Sequence, residues 1–197
     1  MADSRLKPNQ KLATALKALM RLQDKHYGVV ESRDMDEGHR VLLVDAGFLR
    51  PVIKGWYICA NPADRDGDST AWYASYWAFL SGYLGKRFGK RYCLNPEASI
   101  LLHTGSTVIP RQVVVVAKIG GNFILEMPHN TSAAIYENEA GVPKTRMDLR
   151  GLQVEALPDA LCRVGPQFFR QHPREAEIAL NLRRDVRQLL NRRQLVD

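Results

Sequence analysis

Residues 33–54 hold side chains that can contact DNA, in an order that suits the task. His39 and Arg40 fall in the first turns of a periodic stretch, Val41, Leu42, Leu43 and Val44, that closes at Ala46-Gly47. An arginine fork bonds guanine O6 and N7, and a histidine donates to an acceptor on a base edge. Arg33 ahead of that helix, and Arg50 and Lys54 on the hairpin after it, complete the candidate DNA-contacting set by reaching phosphate or the minor groove. Asp34, Asp36, Glu37 and Asp45 surround these cations, so the rival reading of the segment is a helix that docks a protein.

Other chemistry finds little support. Asp64, Asp66 and Asp68 alternate like the first oxygens of a calcium loop, but Gly67 comes too early and Ser75 stands where a bidentate Glu belongs. A solvated linker supplying helix caps is the better account. His26, His39, His103, His129 and His172 are scattered without ligand spacing, and GxGxxG, GxxxxGK and GxSxG are absent. Glu126, Glu137 and Glu139 lack the nearby Lys that a metal-dependent nuclease would place on a strand. No catalytic residue, metal or cofactor is expected. Cys59, Cys93 and Cys162 are widely spaced with no CxxC, which reads as three reduced thiols.

The elements that position the cations are a helix over 10–23 carrying Leu12, Leu16, Leu19 and Met20, a short helix for which Ser32 is the expected N-cap, the helix ending at Gly47, and a hairpin of Phe48–Val52 and Trp56–Cys59 turning at Lys54-Gly55. That order is a winged helix-turn-helix. Asn61–Ser69 is polar and aperiodic. Beyond it, Trp72, Tyr76, Phe79, Leu80, Tyr83, Leu84 and Phe88 recur at spacings of three and four, predicting a helix over 69–88 whose aromatic stripe is core. A strand at Tyr92–Leu94, a helix near Pro96–His103, and strands at Gln112–Ala117, Asn122–Met127 and Ser132–Tyr136 follow, with Gly120-Gly121 turning the first two of these three into a hairpin. A strand within 150–156, a helix at Pro158–Val164 and a C-terminal helix of about five turns from Pro173 complete the chain. The expected fold is α+β: a winged helix-turn-helix at 1–60, a linker at 61–68, and a mixed domain at 69–197 with a small, mainly antiparallel sheet and a C-terminal helix.

The chain has 197 residues, 45% hydrophobic and 25% charged, which excludes wholesale disorder and collagen-like or disulfide-knot classes. No apolar run is long enough to cross a bilayer, and the first twenty residues carry charge throughout, so a cytoplasmic chain with no membrane partner is expected. The net charge of +7 favours anionic partners. It is spread as +3 over 1–60, +2 over 61–150 and +2 over 151–197, so any basic patch must be made by folding. Arg183, Arg184, Arg187, Arg192 and Arg193 gather on the C-terminal helix, where they complement its dipole, the rival reading being contact with an acidic protein or nucleic acid.

The run Leu101-Leu102-His103-Thr104-Gly105-Ser106-Thr107-Val108-Ile109-Pro110-Arg111-Gln112, together with Lys54-Gly55-Trp56-Tyr57 and Pro128-His129-Asn130-Thr131-Ser132, resembles the AbiEi-type antitoxin and transcriptional regulator family over nearly the whole chain. The resemblance implies an N-terminal winged helix bound to double-stranded DNA at the promoter of its own operon, and a second domain that counters a nucleotidyltransferase-type toxin. Similar modules precede Fic domains. This chain has no HPFxxGNGR-like signature, since His172-Pro173 continues as Arg174-Glu175, so the alternative is the N-terminal regulatory part of a Fic-type fusion that docks partners. A homodimer is expected because winged-helix regulators read paired half-sites.

Overall fold

The computed structural model describes residues 8–26, 28–65 and 67–182. In chain order these form α1 (Pro8–His26), β1 (Val29–Glu31), a 3-10 turn (Ser32–Asp34), α2 (Glu37–Asp45), β2 (Leu49–Ile53), β3 (Trp56–Cys59), α3 (Thr70–Phe88), β4 (Tyr92–Leu94) and α4 (Pro96–His103). They continue as β5 (Gln112–Ala117), β6 (Phe123–Met127), β7 (Thr131–Glu137), β8 (Met147–Leu149), β9 (Leu152–Val154), α5 (Leu157–Arg163), α6 (Pro166–Gln171) and α7 (Pro173–Leu182). The class is α+β. Packing divides the chain into one unit of Met1–Tyr83 with Met127–His129 and another of Leu84–Glu126 with Asn130–Asp197. The division falls inside α3, whereas the sequence places its linker at 61–68.

In the first unit, β3 lies between β1 and β2, antiparallel to both, with Val30 opposite Tyr57 and Leu49 opposite Cys59. Ala15 and Leu19 of α1, Val30, Met35, Leu43 of α2 and Leu49 close a core beneath this sheet. The N-cap of α2 is Asp36, whose Oδ1 accepts the Gly38 and His39 amides at 2.9 and 3.3 Å. Ser32, the expected N-cap of the short helix, is the first residue of the 3-10 turn, whose N-cap is Glu31. At its other end the Phe48 amide donates to Leu43 O and the Gly47 amide to Val44 O, a Schellman closure with Gly47 at φ 76°, as its position in the sequence predicts. The expected aromatic stripe is core at Trp72, Tyr76, Phe79, Leu80, Leu84 and Phe88, each at most 2% exposed, while Tyr83 is half-buried. Trp56 of β3 meets Phe79 and Tyr83 edge-on at 5.7 and 6.1 Å, which fastens the first part of α3 to the first unit.

In the second unit the sheet order is β4-β5-β7-β6. β4 and β5 are antiparallel, but the central pair β5–β7 is parallel, Val113 lying opposite Ala133 and Val115 opposite Ile135. This corrects the hairpin expected at Gly120-Gly121: β5 and β6 are not neighbours. Parallel strands need a long crossover, and residues 118–130 supply it. The tight turn lies after β6, where His129 and Asn130 both take positive φ, 55° and 56°, the pairing a type I′ turn requires. Gly120 serves a close approach: at φ 117°, a Cβ there would stand 2.6 Å from Phe88 Cε1. β8 and β9 form a separate antiparallel hairpin within 147–154. Ile100, Leu101, Leu157, Ala160, Leu161, Val164, Phe168, Ala176 and Ala179 join α4, α5, α6 and α7 in one core. The helix expected at Pro158–Val164 is α5, whereas α6 is an element the sequence reading lacked. The C-terminal arginines from Arg183 onward lie outside the described residues.

Candidate nucleic-acid interface

Arg40, the expected base reader, is committed to the fold. Its side chain is only 17% exposed, with Nη1 donating to Ser32 O at 3.1 Å and Nη2 3.6 Å from Glu37 Oε1. The guanidinium also lies 5.8 Å from the centre of the Tyr57 ring. It thereby ties the 3-10 turn, α2 and β3 together. Arg40→Ala should lower the stability of this unit by about 2 kcal/mol, the scale of a charged hydrogen bond, and Arg40→Lys should recover only part because an ammonium lacks the planar fork. Urea unfolding followed by tryptophan fluorescence reads this directly, since Trp56, Trp72 and Trp77 all belong to the first unit; unchanged midpoints would refute the role.

Arg50 is likewise engaged, its Nη1 donating to Asp68 O at 3.0 Å and its Nη2 3.9 Å from Asp64 Oδ2. It pins β2 to the 61–68 segment. Arg33 is two-thirds exposed but paired with Glu31 at 2.8 Å. His39 is half-buried on α2, and Lys54 is exposed at the tip of the β2–β3 turn, with no ion pair among the described residues. The five candidates therefore divide: Arg40 and Arg50 bond across elements of the fold, Arg33 is paired with Glu31, and His39 is half-buried and Lys54 exposed. Around them Glu31, Asp34, Asp36, Glu37 and Asp45 leave the segment acidic, and Val41 of α2 is 51% exposed.

Asp64 and Asp68 work as turn and cap acceptors. The Thr70 amide donates to Asp68 Oδ1 at 2.7 Å, and hydrogen bonding from Thr70 holds the Asp68 carboxyl below its ordinary range. Asp66 lies outside the described residues, among which no three His, Cys, Asp or Glu side chains gather as a metal site. The histidines of the second half have separate surroundings: His103 Nε2 donates to Glu155 O at 2.8 Å, His129 tilts against Tyr73, and His172 lies against Phe168.

The three motifs that carry the family resemblance fall at structural positions. Lys54-Gly55-Trp56-Tyr57 turns the first hairpin, with Gly55 at φ 82°. His103-Thr104 ends α4, where Thr104 Oγ1 donates to Ile100 O at 2.9 Å, and Ser106 Oγ donates to Glu175 Oε1 at 3.1 Å. His129-Asn130 makes the type I′ turn.

One buried ionisable group went unremarked in the sequence because its surroundings come from distant segments. Glu155, 2% exposed after β9, donates its amide to Ser99 Oγ at 3.1 Å and receives Arg163 Nη1 on Oε1 at 2.8 Å. Its Oε2 is buried with no hydrogen-bond partner among the described residues. Burial pushes this carboxyl up to about 7, against the lowering influence of Arg163. The Cys93 thiol is pushed up to about 12, chiefly by burial, and is unsuited to nucleophilic work. Cys59, Cys93 and Cys162 form no disulfide among the described residues; Cys93 is buried and the other two are half-buried.

No helix among the described residues is long and apolar enough to cross a membrane. Neither a family model nor a curated protein matches the chain.

Proposed function

We propose that this chain is a non-enzymatic, DNA-binding transcriptional regulator of the AbiEi type, acting in the cytoplasm as a homodimer. It represses its own operon, and its second unit counters a nucleotidyltransferase-type toxin. The observation that carries the reading is the order helix, strand, turn, helix, hairpin in the first unit, with β3 between β1 and β2 and the Lys54 turn exposed. That order supports reading the unit as a winged helix-turn-helix, in which α2 would face the major groove and the hairpin turn would reach the backbone. His39 then meets base edges and Lys54 meets phosphate, while Arg40 and Arg50 hold the helix and hairpin in register. Fluorescence anisotropy of the whole chain, against duplex DNA from upstream of its own gene and a scrambled duplex, tests this. Preference for the upstream duplex is expected, diminished in His39→Ala, with Lys54→Ala lowering the salt slope by about one. Equal binding of the two duplexes would overturn it.

A second reading is favoured by the acidity of α2 and the exposure of Val41. In it the same unit docks a basic protein surface, as the regulatory part of a Fic-type fusion would. Loss of a captured partner on Val41→Asp, with DNA binding absent throughout, would establish that alternative.

A further inference from the structure

The second unit concentrates positive charge on residues that the reading above leaves unused. Lys86 and Arg87 stand in the last turn of α3, and Lys90 and Arg91 follow it directly. Folding brings two more to the same place. The Lys118 amide donates to Arg91 O at 2.9 Å, and Arg146 Nε donates to Lys90 O at 3.1 Å. Six cations from three segments thus share one end of the sheet, beside the start of β4 and the end of β5. Of the nearby carboxylates, Glu139 pairs with Lys118 at 3.4 Å, while Glu137 accepts the Gly121 amide at 2.6 Å and Asp148 accepts the Gly151 amide at 3.0 Å and Gln153 Nε2 at 3.1 Å. Arg87, Lys90, Arg91 and Arg146 pair with no carboxylate among the described residues.

These cations are also held in place. Arg91 Nε donates to Phe88 O at 3.4 Å, and Arg146 places Nη1 on Pro143 O at 2.9 Å in addition to its bond to Lys90. Arg87 lies 4.4 Å from the centre of the Phe123 ring. Arg91 Nε and Arg146 Nε and Nη1 are thus committed to the fold, which orients the rest of each guanidinium, and a preorganised fork loses less entropy on binding. The dipole of α3 explains cations in its last turn, but its influence fades beyond that turn and does not reach Arg146 or Lys118.

We propose that this surface binds the phosphate backbone of double-stranded nucleic acid without regard to sequence. Several fixed, solvent-facing cations spread over an end of the sheet match a polymer that repeats its charge; a single phosphate would call for donors converging on one point. The proposal is independent of base reading by the first unit, because its residues all belong to the second.

The test uses the whole chain and a labelled 20-base-pair duplex of scrambled sequence, with anisotropy recorded across a salt series. Arg87→Gln/Lys90→Gln should reduce the slope of log affinity against log salt by about two, one per lost phosphate contact. Arg170→Gln/Arg174→Gln, which removes the same charge elsewhere on the second unit, should leave the slope unchanged. Lys90→Glu alone alters one exposed side chain and should lower the slope by at least about one. Equal slopes for the two double variants, or binding of the chain to phosphatidylserine vesicles but not to duplex, would overturn the proposal. Failure of the upstream duplex to outcompete the scrambled one would refute the promoter reading and leave this one standing.

Discussion

Glu155→Gln should make the protein markedly more resistant to urea near pH 8 than the parent, with the advantage fading as the pH falls toward 4.5. The carboxyl sits at about 7 in the fold against an ordinary 4.5, so the folded chain binds more protons than the unfolded chain between those values. Stability therefore falls as pH rises through that window and stays low above it. At about 1.4 kcal/mol for each pH unit, the full loss approaches about 3 kcal/mol. The cause is geometric: burial on the β9–α5 connection, with Oε2 lacking a hydrogen-bond partner among the described residues and Arg163 meeting only Oε1, disfavours the charge by more than the ion pair returns. Glutamine resembles the protonated acid and removes the titration. Because the tryptophans report on the other unit, far-UV circular dichroism is the signal to follow. If the urea curves of the two proteins kept a constant separation from pH 4.5 to 8, the buried carboxyl would not be the titrating group.

Phe168→Ala should be the most damaging truncation of the second unit, destabilising it by about 3 to 5 kcal/mol, while Phe169→Ala stays within about 1 kcal/mol. Phe168 is 1% exposed in the core shared by α4, α5, α6 and α7, whereas its neighbour is 38% exposed. The two positions have the same residue type and the same helix, so the difference isolates burial and the cavity left behind. Equal urea midpoints for the two variants would mean that α6 does not close this core.

Much of the fold is legible along the chain. Periodicity marks α1 and α3, because a spacing of three and four puts Trp72, Tyr76 and Phe79 on one buried stripe whatever packs against it. The Gly47 stop and the Lys54-Gly55 turn are equally local, since each depends on a backbone conformation that glycine adopts at little penalty. Six-residue α6 is too short for a period to emerge, and Phe168-Phe169 gives no hint of which ring turns inward. Gly120-Gly121 misleads because a glycine pair signals a turn without naming the strands it joins; here Gly120 answers the Phe88 ring.

The site shows the same division more sharply. Residue types and order by themselves determined the helix and hairpin that would face a ligand, the absence of familiar catalytic motifs, and a surplus of cations. Only tertiary structure decided which cations are available. Arg40 and Arg50 are turned onto backbone carbonyls and carboxylates, whereas Arg87, Lys90, Arg91 and Arg146, averaged away in a segment with a net charge of +2, pair with no carboxylate among the described residues. Helical periodicity and turn chemistry act over a few residues and can be read along the chain. Strand order, burial and charge pairing depend on which distant segments meet, and in this protein those meetings separate an arginine paired with carboxylates from one that pairs with none among the described residues.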